Sequence, residues 1–121
     1  MLEINELLVD LYGCQGNLDD EQFLLDTLED AADKVGAKII QKITRKFSPT
    51  GVSAILILAE THISLHTWPE HSYAALDIFI CGRGKKPETA WEVVKEALKP
   101  KSFKLNRMKR TIEGKARTSS R

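Results

Sequence analysis

The sequence predicts an α+β fold, a two-layer α/β sandwich in which one antiparallel sheet carries two helices on one face. Three observations predict it. The segments read β-α-β-β-β-β-α-β along 121 residues, enough for one domain. Connections are short, so neighbouring strands pair antiparallel. Both helical segments carry a single apolar stripe, so each buries one side against a sheet.

Residues 4–13, INELLVDLYG, alternate Leu7, Val9 and Leu11 and stop at Gly13, as a strand does. Residues 16–36 form a helix, with Leu24, Leu28, Ala31 and Val35 on one face, Asn17 as its cap and Gly36 at its end. Residues 37–47 are a second strand, SPTG (48–51) a turn, and VSAILILA (52–59) an almost wholly apolar third strand. HISLH (62–66) and YAALDIFIC (73–81) are two more, joined by the loop TWPEHS, and GRGKK breaks the pattern. Pro87 opens a helix over 87–98, with Trp91, Val94 and Leu98 on one face. Residues 101–110 alternate as an edge strand would. One domain is therefore expected over 1–112, with a disordered basic tail over 113–121.

Strands 52–59 and 73–81 are apolar on both faces, whereas a half-exposed sheet alternates. A second subunit, packed sheet against sheet, would cover the face the helices leave. A chain this small buries only about two-thirds of its unfolded surface alone, which also favours a partner.

Apolar content is 42%, too high for a disordered chain. No run approaches the ~20 apolar residues of a membrane span, and the N-terminus lacks the basic start of a signal peptide. Two cysteines are too few for a disulfide framework, so a reducing cytoplasm and no membrane partner are expected. Residues 1–98 carry nine Lys/Arg against sixteen Asp/Glu, and residues 99–121 nine against one. The basic end admits nucleic-acid binding. A solvated edge strand is preferred, because only Phe103 could stack on a base there.

All three histidines and Cys81 fall between Ala59 and Gly82. They do not have zinc-site spacing, since no second cysteine is near and no HxH or CxxC occurs. Cys81 with His62 or His66 could form a nucleophilic pair, or Cys81 could be a small buried hydrophobe. There is no phosphate-binding glycine loop. Nothing fixes the distance between Glu70 and Asp77, as paired-carboxylate chemistry would require. The residues alone thus give a small α/β domain with a cluster of acid-base groups.

The pattern HTWPE (66–70), YAALDIF (73–79), CG (81–82) and F-x-P-x-GVS (47–53) resembles the small prokaryotic S-adenosylmethionine decarboxylases, self-processing pyruvoyl enzymes of spermidine synthesis. The resemblance implies that fold, a dimer with sites near the interface, S-adenosylmethionine as substrate and no nucleic acid. It also implies a cut between Glu60 and Thr61, leaving an α-keto acyl cofactor whose ketone takes the substrate amine as a Schiff base. By the same resemblance His66 and Ser53 assist processing, and Cys81 reprotonates the substrate α-carbon. Phe47, Trp68 and Glu70 would line the substrate pocket, and no metal is required.

Where the family pattern has serine, this chain has Thr61. Threonine keeps the hydroxyl, but its methyl restricts χ1 and crowds the attack, so processing slower by tens to hundreds of times is expected. The cap would be 2-oxobutanoyl in place of pyruvoyl. On a regular pleat Thr61 and His66 face opposite ways, so a bend or bulge between Glu60 and His62 is expected. A homologue decarboxylating arginine or ornithine, and an uncleaved paralogue that binds or regulates, remain open alternatives.

Overall fold

The computed structural model describes residues 2–59, 61–81 and 84–113. Glu60, Gly82, Arg83 and the tail expected to be disordered beyond Glu113 lie outside them. The order is β1 (Leu2–Tyr12), α1 (Glu21–Val35), β2 (Ile39–Lys46), β3 (Val52–Leu58), β4 (Thr61–Trp68), a single 3₁₀ turn (Pro69–His71), β5 (Tyr73–Ile80), α2 (Pro87–Leu98) and β6 (Ser102–Ile112). The six strands form one antiparallel sheet in the order β2-β3-β4-β5-β1-β6. β6 is an edge, as its alternation predicts.

One face of the sheet and the two helices enclose the core. Leu7, Val9 and Leu11 of β1 meet Leu24, Leu28 and Ala31 of α1 and Val94 and Leu98 of α2 in one buried cluster. Leu56, Ile63, Leu65, Leu76 and Ile78 complete it from the central strands. Strand periodicity places these residues on one side of the pleat, and burying them supplies the main drive for folding. Thr67 shares that face, and its polar group is satisfied: its hydroxyl donates to the Leu18 carbonyl at 2.7 Å and accepts from Val52 N–H at 2.9 Å.

Two local expectations are corrected. The cap of α1 is Asp20, whose Oδ1 accepts from Phe23 N–H at 3.0 Å, and not Asn17. Asn17 instead accepts from Asp19 N–H, forming a turn one step before the helix. β4 is also longer than HISLH, because Thr61, Thr67 and Trp68 all pair with β5. Gly36 ends α1 with φ 77°, a left-handed conformation that glycine adopts without a Cβ penalty.

The other face carries Ile43, Ile55, Ile57 and Phe79, and no helix among the described residues covers it. It is not apolar throughout. Ser53, His62, Ser64, His66 and Asp77 form its centre, so the uncovered face is a hydrophobic surface with a polar middle. The strands looked two-faced in sequence because their few polar residues fall on this one side.

Candidate active site

Leu58 pairs with Thr61, so only Ala59 and Glu60 join β3 to β4. Two-residue hairpin turns favour Gly, Asn or Asp, residues that tolerate positive φ. The sequence Ala59-Glu60 supplies none of them. The next residue, Thr61, has a φ of 151°, an outlying conformation for a β-branched residue. Its hydroxyl is buried and has no hydrogen-bond partner among the described residues. Such a group is destabilised by roughly 1–3 kcal/mol, and strained backbone adds a similar amount.

At mid-strand, Ser53 of β3 lies opposite His66 of β4. The Ser53 hydroxyl and His66 Nδ1 are 2.7 Å apart, a hydrogen bond that fixes the imidazole. Asp77 of β5 faces Ser64, on the same side as both histidines. Burial pushes the Asp77 carboxyl up, and nearby His62 and His66 pull it partly back. His62 stacks on Phe79, ring centres 5.4 Å apart. A shallow depression of about 660 Å³ runs along this face and is bordered by Thr61, His62, Ser64, His66 and Phe79.

Phe47, Trp68 and Glu70 gather near one end of β4. Phe47 N–H donates to Gly51 at 2.8 Å, and the Thr50 hydroxyl donates to Glu70 at 3.4 Å across the end of the sheet. Arg45 lies over the Phe47 ring at 5.6 Å. The turn that holds Phe47 is tied to the segment before α1. Asp19 accepts from Gly51 N–H at 2.8 Å and pairs with Lys46 at 2.9 Å, and these bonds hold its carboxyl below the usual range. Trp68 is exposed on one side and meets Tyr73 on the other.

The expected residues therefore form two groups within one chain. Thr61 pairs with Ile80, and Cys81 follows Ile80, so Thr61 and Cys81 share one end of the β4–β5 ladder. Ser53 and His66 sit further along, toward Phe47, Trp68 and Glu70. Thr61 has an outlying φ, but no register shift follows it on either neighbouring strand, and the two groups stay apart. β4 keeps an unbroken register with β5 from Thr61 to Trp68, and His66 is five residues on, roughly 16 Å at 3.3 Å per residue. Facing was the smaller obstacle; distance along the strand is the larger. Ser64, Asp77, Tyr73 and Asp10 were not assigned roles from sequence. The signal for the first two was there, since even spacing places Ser64 with His62 and His66, and hairpin register then brings Asp77 across. Among the described residues no group of three or more His, Cys, Asp or Glu is placed to hold a metal ion.

The family described as S-adenosylmethionine decarboxylase matches residues 5–111. A Prochlorococcus marinus (strain MIT 9313) S-adenosylmethionine decarboxylase proenzyme is 40% identical over 115 residues, covering 94% of this chain and 92% of that protein. A Methanococcus aeolicus protein of the same description is 45% identical over 105 residues, covering 86% and 90%. The crystal structure of the adenosylmethionine decarboxylase from Aquifex aeolicus VF5 superposes with a TM-score of 0.85 at 29% identity, over 98% of each chain. With its strained Thr61 at the head of β4, its bonded Ser53–His66 pair and these matches over nearly its whole length, the chain belongs to the S-adenosylmethionine decarboxylase family.

Proposed function

We propose that the chain is an S-adenosylmethionine decarboxylase proenzyme that cuts itself between Glu60 and Thr61 and supplies decarboxylated S-adenosylmethionine for spermidine synthesis. The observation that carries this is Thr61: a buried hydroxyl without a partner among the described residues, on a residue with outlying φ, at the head of β4. The hydroxyl oxygen attacks the Glu60 carbonyl carbon, and the C–N bond breaks to leave an ester and a free amine. A base removes the Thr61 α-proton, the Cβ–O bond breaks, and Glu60 leaves as a carboxylate. Water then hydrolyses the resulting enamine through its imine tautomer, releasing ammonia and leaving a 2-oxobutanoyl cap on the second fragment.

The local structure suits that group. Its carbonyl would stand at the Thr61 position, beside Cys81 and at the margin of the open depression. When formed, it supplies an electrophile for the substrate amine and an electron sink for loss of CO₂. Cys81, whose thiol carries a transferable proton, donates it to the substrate α-carbon after CO₂ departs. Ser53 stabilises the oxyanion of the acyl shift, and His66, oriented by Ser53, is the base of the elimination.

Ser53 and His66 cannot serve the Thr61 of their own chain across roughly 16 Å. A homodimer that packs the two uncovered sheet faces together answers this. A two-fold axis running across the strands would place one protomer's His66 end against the other's Thr61 end. It would also bury Ile43 and Ile57, which are exposed in the single chain, and half-buried Ile55. Phe47, Trp68 and Glu70 would then receive the nucleoside bound at the partner's Thr61, the aromatics against adenine and the carboxylate at the ribose hydroxyls.

The processed protein is expected to release CO₂ from carboxyl-labelled S-adenosylmethionine and not from arginine or ornithine. In the same assay Cys81→Ala should leave self-cleavage intact and cut sustained turnover by at least tenfold. Release from arginine or ornithine alone would reassign the substrate, and long-lived turnover by Cys81→Ala would remove the thiol from the reaction.

A further inference from the structure

The geometry points to Tyr73, pinned by Asp10, as the residue that positions Trp68 for the substrate. This rests on the assignment of Trp68 to the substrate pocket made above. Trp68 is the last residue of β4, and 42% of it is exposed. A ring so placed at a strand end has little to hold its rotamer. Its cross-strand partner is Tyr73, with ring centres 5.4 Å apart and planes tilted by 41°.

Tyr73 is itself fixed at two points. Its hydroxyl donates to Asp10 Oδ1 at 2.5 Å, and Tyr12 lies against its other side at 5.6 Å. Asp10 pairs with Ala75, which makes it the diagonal neighbour of Tyr73 on the same face. The bond to Asp10, with burial, pushes the phenol up to about 12, so it stays a proton donor throughout the working range. The loop before Tyr73 is anchored too, because Ser72 accepts from Cys14 N–H at 3.0 Å. A charge-assisted bond between β1 and β5 thus sets a phenol ring, and the ring sets one wall of the indole. The indole's other side stays open, and there it can take a flat purine. Tyr73 and Asp10 touch no reacting atom. They act through Trp68, on binding and not on the chemical steps.

The test uses processed protein and S-adenosylmethionine kinetics on five variants. Trp68→Ala sets the scale. Tyr73→Leu should raise KM about three- to tenfold, the range an aromatic pair supplies, and change kcat less than about twofold. Tyr73→Phe keeps the ring and loses the bond, and should give a smaller rise that Asp10→Leu reproduces. Tyr73→Leu added to Trp68→Ala should raise KM no further. The extent of self-cleavage, which does not use Trp68, should be the same in all five. If Trp68→Ala raises KM and Tyr73→Leu, Tyr73→Phe and Asp10→Leu do not, Tyr73 has no positioning role and the pocket assignment survives. If Trp68→Ala leaves KM unchanged, both fail. An additive double variant, or a fall in kcat larger than the rise in KM, also overturns the proposal. Should Tyr73→Leu fail to fold, the Tyr73→Phe and Asp10→Leu pair decides by the same comparison.

Discussion

Replacing Thr61 by serine should accelerate self-cleavage about ten- to a hundredfold and install pyruvoyl in place of 2-oxobutanoyl. The hydroxyl is common to both residues, so the chemistry is unchanged and only barriers move. Threonine has a stiff χ1, and holding it off its preferred well costs roughly 0.5–1.5 kcal/mol. Its methyl also crowds the carbon bearing the attacking oxygen. Two such penalties of about 1.4 kcal/mol each make about a hundredfold, and one makes tenfold. Before reaction Thr61 has a buried hydroxyl with no partner among the described residues and an outlying φ, and both raise the ground state. The outlying φ weighs more on β-branched threonine than on serine and offsets part of the methyl's penalty. The fraction cut against time, read from band intensities for the two proteins side by side, checks this. Equal rates would show that the methyl does not matter.

The second large effect is complementation between two inactive chains. Thr61→Ala lacks the attacking hydroxyl, and His66→Ala lacks the elimination base, so neither should cut alone. Mixed dimers should restore one site in two. The chain that is cut should be the His66→Ala chain, because it retains Thr61 and borrows His66 from its partner. The Thr61→Ala chain should remain whole. A Thr61→Ser background for the His66→Ala chain makes the reaction fast enough to follow, and two different tags identify the fragments and prove mixed assembly. If tagged mixed dimers are captured and nothing is cut, the sites are not shared. If no dimer is captured, the uncovered sheet face has another explanation.

Much of this architecture was legible in the chain. Leu24, Leu28, Ala31 and Val35 at helical spacing located α1, and all four are buried. Leu7, Val9 and Leu11 likewise gave the inner face of β1. Asp20 reads in sequence as an acid of the first turn, because Asn17, Asp19 and Asp20 all carry side chains able to cap, and composition does not choose among them. The division of the site into two groups was harder to see. A motif compresses His66, Trp68, Glu70 and Thr61 into ten residues, yet extended chain stretches the first eight along one strand, with Glu70 in the turn beyond it. Nor could sequence alone show the Ser53–His66 bond, which depends on the register of the β3–β4 hairpin. Asp77 and Tyr73 were hidden within an apolar strand, where alternation is visible only once the helices mark the inner face.

Intact mass spectrometry of the purified wild-type protein decides whether the chain cuts itself between Glu60 and Thr61. Slow, partial processing that increases with time and temperature should give a 60-residue fragment ending at Glu60 and a 61-residue fragment bearing a 2-oxobutanoyl cap. The second fragment should resist Edman sequencing, and the two should stay associated, since β3 and β4 keep their sheet partners on either side of the cut. A single uncut mass after long incubation, under conditions in which Thr61→Ser is fully cut, would contradict self-processing of this chain and leave an uncleaved binding or regulatory protein in its place.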